Sequence, residues 1–130
     1  MLIRALLFCV TVSGAAHAQE QLTPDAFLDR AEGRTLTFKS AGTGRVVGIE
    51  EFLSRHQTKW AREDGSCTYG QVTVDGETIC FQYEDNWGEL HCWVPYDNAG
   101  TLMVRSPDGA IQHVTRITDL PVLCQDKPMS

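Results

Sequence analysis

From Arg34 onward, turn residues recur so often that no long helix fits between them. Asp64-Gly65, Asp75-Gly76, Asn98-Ala99-Gly100 and Pro107-Asp108-Gly109 are strong turn signals, and Ala41-Gly42-Thr43-Gly44 is another. They divide the chain into runs at 34–39, 45–53, 56–62, 67–74, 77–84, 90–95, 101–106 and 111–117. The first run, RTLTFK, alternates cleanly, and Ile79, Phe81 and Tyr83 alternate with Cys80, Gln82 and Glu84. Period two is the signature of a strand with two different faces. Parallel neighbours would need crossover connections of about a dozen residues, so the sheet is expected to be antiparallel. Sequential antiparallel strands tend to close, because closure removes exposed edges. The expected fold is mainly β: a small antiparallel eight-stranded up-and-down (lipocalin-like) β-barrel. The interior of such a barrel is just wide enough for side chains or for one small ligand.

One helix is expected ahead of the strands. Thr23-Pro24-Asp25 supplies a cap, a proline at the first helical position and an acid in the first turn. Leu22 and Phe27 stand at the spacing of a hydrophobic staple, and Gly33 is a stop. About nine residues of helix are marginal alone, so the segment must dock, with one end of the sheet as its expected seat. In 45–53, Gly48 interrupts the strand and suggests a bulge or bend.

The beginning of the chain reads as an address. Arg4 precedes an apolar run, ALLFCVTV, and Ala16-His17-Ala18 has the small-x-small pattern of a cleavage site. The run is too short to span a bilayer, and no membrane span is expected elsewhere. The expected organisation is a secretory signal peptide over 1–18, one barrel domain over 19–127 and a disordered tail over 128–130. Cleavage near Ala18 would leave a periplasmic or secreted protein and remove Cys9. It would also remove Arg4, leaving ten basic against seventeen acidic residues, a net charge of −7. An acidic chain with scattered Lys and Arg has no electrostatic footprint for nucleic acid.

Four cysteines remain after cleavage: Cys67, Cys80, Cys92 and Cys124. An even count in a small exported chain argues for disulfides. The intervals of 12, 11 and 31 residues contain no C-x-x-C pair, which disfavours both zinc and a thioredoxin-like centre. A hairpin with its turn centred on Asn86 sets Tyr83 opposite Glu89 and Cys80 opposite Cys92. Opposed residues lie about 4.5–5.5 Å apart at Cβ, within reach of a bridge. Cys67 is then left with Cys124, which would tie the tail back to the sheet.

Little in the chain points to catalysis. His56, His91 and His113 have no visible nucleophile partner, and the serines lie outside any G-x-S-x-G elbow. Glu50-Glu51 and Glu84-Asp85 are adjacent acids, and neighbouring strand residues face opposite ways. No catalytic, cofactor-binding or metal-ligating residue is expected, and no cofactor. The aromatic residues concentrate in the middle strands: Trp60, Tyr69, Phe81, Tyr83, Trp87, Trp93 and Tyr96. Core packing is the plainer account of them; an aromatic-lined pocket or contact patch is the functional one. Trp87 stands at the tip of the proposed hairpin with little core to join. Trp87, Trp93 and Tyr96 are the candidate contact surface.

Thr23-Pro24-x-x-Phe27-Leu28, Gly33-Arg34-Thr35-Leu36, Gly48-x-Glu50-x-Phe52, Trp60, Cys67-x-x-Gly70, Ile79-Cys80-Phe81-x-Tyr83 and Cys92-Trp93 follow one another in that order. In this order of features the chain resembles a group of small exported bacterial β-rich proteins of unknown function. The chain departs from that pattern at Val72, where the group would have tryptophan. The resemblance implies an exported β-rich domain and carries no activity to transfer. The expectation is a monomeric, non-enzymatic, disulfide-stabilised binding module of the cell envelope. It would hold an unknown protein partner on its rim or a small apolar ligand inside. A protease inhibitor is one concrete version, by analogy of fold alone. A structural or accessory envelope protein is the alternative, and a small hydrolase the third reading.

Overall fold

A computed structural model describes residues 9–11 and 19–125. Most of the leader reading, including Ala16-His17-Ala18, and the tail reading over 128–130 lie outside the described residues.

Eight antiparallel strands close into a barrel, entered through one short helix. After a two-residue strand, β1 (Glu20–Gln21), comes helix α1 (Pro24–Ala31). The barrel strands are β2 (Thr35–Ser40), β3 (Val46–Phe52), β4 (Gln57–Arg62), β5 (Cys67–Asp75), β6 (Thr78–Tyr83), β7 (Leu90–Asn98), β8 (Thr101–Arg105) and β9 (Ile111–Thr118). Each strand pairs with the next in sequence, and β9 returns to β2, which closes the ring. β1 adds to the lower part of β7, where β6 has already diverged.

β7 runs on through Pro95 to Asn98, further than its turn residues suggest. Nitrogen and carbonyl of one strand residue point to the same side. The Pro95 carbonyl accepts from Leu22 N at 2.9 Å, on the side where β1 joins. The proline therefore removes no bond to β6 or β8, and sits where proline is tolerated in a sheet. The irregularity near Gly48 is a bulge: Phe38 faces Gly48, but Lys39 faces Val46, leaving Val47 unpaired in that register.

Helix α1 closes one end of the barrel. Thr23 caps it, accepting from Ala26 N at 3.1 Å, and Gly33, at φ 72°, ends it. Its buried residues Phe27, Leu28 and Ala31 join Leu36, Phe52, Ile79 and Leu102 in one apolar cluster. Phe27 meets Phe52 edge-on at 6.1 Å, and Phe52 meets Phe81 at 6.1 Å. Outside, Arg55 in the β3–β4 turn bonds Asp29 at 2.8 Å and also reaches Asp25 and Glu32. Arg30 bonds Asp97 at 2.7 Å, and with the Gly100 N–H it holds that carboxyl below the usual carboxylate range. The helix is thus seated by packing beneath and ion pairs around it.

Two disulfides act on the outer wall. Cys80 and Cys92 face each other across β6 and β7 and are bonded. Cys67 at the start of β5 is bonded to Cys124. The segment after β9 is a strap: Leu120 accepts from the Thr35 hydroxyl, Val122 N donates to Glu51, and Gln125 N donates to Gly65. Val122 is buried in this way on the outer side of the barrel.

Candidate functional site

The other end of the barrel is open, and the interior below it is hollow. The cavity measures about 330 Å³. Its bottom is Phe27 with Ile79 and Phe81; its walls are Phe38, Trp60, Tyr83, His91, Trp93 and Val104; Arg62, Asp85, Asn86 and Glu89 stand at the rim. Inward positions alternate along each strand, so this lining is the inner row of period two. Yet Trp60, Tyr83, His91 and Trp93 are only half-buried although they face inward. Rings that large in a filled core lose nearly all their accessible surface; here space beside them keeps part of it.

The rings form a continuous array. Phe81 stacks on Tyr83 at 6.4 Å with planes 9° apart. Tyr83 neighbours Trp60 at 6.3 Å and His91 at 5.8 Å, and Trp60 neighbours Phe38 at 6.3 Å. Two glycines make the array possible. A Cβ on Gly48 would lie 2.2 Å from Cζ2 of Trp60. A Cβ on Gly70, directly opposite Tyr83, would lie 2.8 Å from both the Tyr83 ring and the Thr58 hydroxyl. Glycine in a strand interior often marks such a close approach.

One acid lies inside. Glu50 on β3 is 1% exposed, and its carboxylate accepts from the Tyr83 hydroxyl at 3.2 Å and 3.1 Å. Burial pushes its carboxyl from 4.5 up to about 8, opposed in part by the Thr58 and Tyr83 hydroxyls. The Thr58 hydroxyl is close enough to favour the charged form but makes no hydrogen bond of its own. Burial and the nearby Glu50 charge also push the Tyr83 hydroxyl up, so it stays a donor. At the rim Arg62 pairs with Asp85, Asn86 donates to Glu89, and Glu89 lies 3.9 Å from His91. Among the described residues, the lining holds no serine or cysteine nucleophile.

The three candidate contact residues do not share a surface. Trp93 lines the cavity. Trp87, 48% exposed, stands outside, in a groove with Tyr69, Gln71, Thr73 and Glu84. Tyr96 is half-buried, with the Arg105 guanidinium 5.2 Å over its ring. Sequence reasoning missed Glu50. Its signal was phase: Gly48, Glu50 and Phe52 share one side of β3, so an acid in step with a buried Phe faces inward.

No family model, no curated protein and no solved structure matches this chain.

Proposed function

We propose that this protein is an exported small-molecule-binding barrel, a binder rather than a catalyst, with the open cavity as its ligand site. The observation that carries the reading is the contrast between the sealed helix end and the half-buried aromatic walls around 330 Å³ of open space. Ligand pockets of about 300–1,000 Å³, mostly apolar with a few convergent polar groups, are the usual form of such sites. At roughly 30 Å³ per water-sized unit, this one suits a ligand of about ten non-hydrogen atoms. Glu50 and Tyr83 supply the polar anchor. Two disulfides support export, since such bonds persist in oxidising compartments. The cup favours a small ligand over a protein on Trp87, because the outer groove beside that ring is lined mainly by polar side chains.

The test is titration of the oxidised protein with toluene and indole, followed by the fluorescence of Trp60 and Trp93. A saturable change at one ligand per chain is expected. Folded protein that shows no saturable change with either would overturn the reading. Native mass spectrometry of protein taken gently from its host's envelope fraction would then identify a retained guest.

A further inference from the structure

We infer that the ligand of the cup is a small organic cation, a primary ammonium on an apolar or aromatic body, received by the Glu50 carboxylate beside Trp60 and Tyr83. The inference rests on the small-ligand reading above and goes on to its charge. Glu50 is buried, yet it lines the cavity, and its carboxyl accepts from Tyr83 beside a buried, otherwise unpartnered Thr58 hydroxyl. A carboxylate offers about four lone-pair sites, more than these hydroxyls fill. A buried charge is stable only when paired, and an ammonium in the cavity would supply that pair. Aromatic faces around that space attract cations through their ring quadrupoles.

The rim selects in the same sense. Its one guanidinium among the described residues, Arg62, is taken up by Asp85, and Glu89 adds a further acid. An entering anion would meet two rim acids, Asp85 and Glu89, against a cation already paired. The chain as a whole carries −6, which steers cations inward rather than anions. The ionisable groups facing Glu50 are Tyr83 beside it and Arg62, Asp85, Glu89 and His91 towards the rim. Burial holds a proton on Glu50 at neutral pH in the empty cup. Capture of an ammonium therefore expels that proton to solvent, leaving a carboxylate–ammonium pair.

Calorimetric titration of the intact oxidised protein decides this, with 2-phenylethylamine, 2-phenylethanol, phenylacetate and toluene as probes. It is run near neutral pH in two buffers of different ionisation enthalpy. The amine is expected to bind at least about tenfold more tightly than the alcohol, a difference of roughly one charge-assisted hydrogen bond. Phenylacetate should bind weakest, and about one proton should leave per amine bound. Glu50→Gln should abolish both the preference and the proton release. Tyr83→Phe, which keeps the carboxylate, should retain the preference. If the alcohol or the acid binds as tightly as the amine, or Glu50→Gln keeps the preference, the cation inference falls while toluene binding upholds the cup. If neither toluene nor the amine binds to folded protein, the cup reading falls with it.

Discussion

The two ends of this barrel are built from the same strands and differ in what their inner rows carry. At the helix end Phe27, Leu36, Phe52 and Ile79 are at most 1% exposed, and Phe27 meets Phe52 edge-on. At the open end the inner row is Trp60, Tyr83, His91 and Trp93, half-buried around empty space, with Glu50 on the wall. The difference lies in the plug. Helix α1 adds three apolar side chains to one end and none to the other. A barrel of eight strands is wide enough to need filling, and one short helix fills only one end of it. Stability and binding are therefore separated along one axis, so substitutions at the two ends should act differently.

The largest effect should come from pH, and it belongs to the cup. Unfolded, Glu50 titrates near its ordinary 4.5; folded, it titrates near 8. Between those values the folded state holds a proton that the unfolded chain releases. The contribution is thus fully present below pH 4.5 and is lost as pH rises through about 8. At roughly 1.4 kcal/mol per pH unit, the loss amounts to several kcal/mol. Urea unfolding across this range should show the decline in the wild type and a flatter profile in Glu50→Gln. Equal slopes would mean that Glu50 is not the buried acid described above.

Next comes the floor. Phe52→Ala should cost about 3–5 kcal/mol, because it opens a hole in a buried, ring-packed layer. Tyr83→Phe at the open end, which removes the hydroxyl that Glu50 accepts from, should cost less, about 1–2 kcal/mol. Comparable losses in urea midpoints would erase the distinction between packed floor and hollow cup.

The wall staple should rank below the floor. Replacing Cys80 and Cys92 together by Ser frees a 12-residue loop and should lower stability by about 3 kcal/mol. The melting temperature under non-reducing conditions measures it. A larger drop, with loss of toluene binding, would show that the cup wall depends on this bridge more than loop entropy requires.

Trp87→Ala should have the smallest effect, within about 0.5 kcal/mol, since the ring is exposed on the outside. Indole titration of this variant should match the wild type. A changed affinity would place Trp87 at the cup mouth rather than on the outer wall.

The sequence alone determined what depends on local chemistry. Turn dipeptides and period-two runs placed the eight barrel strands to within a few residues, because turns and alternation are properties of neighbours. The symmetric turn about Asn86 set Cys80 against Cys92, and elimination left Cys67 for Cys124; both pairs are bonded. β1 escaped notice because two residues carry no period. The continuation of β7 past Pro95 escaped notice because only the docked N-terminal segment makes that proline harmless.

Tertiary structure alone decided the site. That Glu50 faces an interior, and that Trp60 fits only because Gly48 lacks a Cβ, depend on strands brought together by closure. That Trp93 turns inward while Trp87 stays out depends on which side of a ring each residue meets. Above all, hollowness is a volume left over after eight strands and one helix have packed. It belongs to no residue, so no stretch of sequence states it.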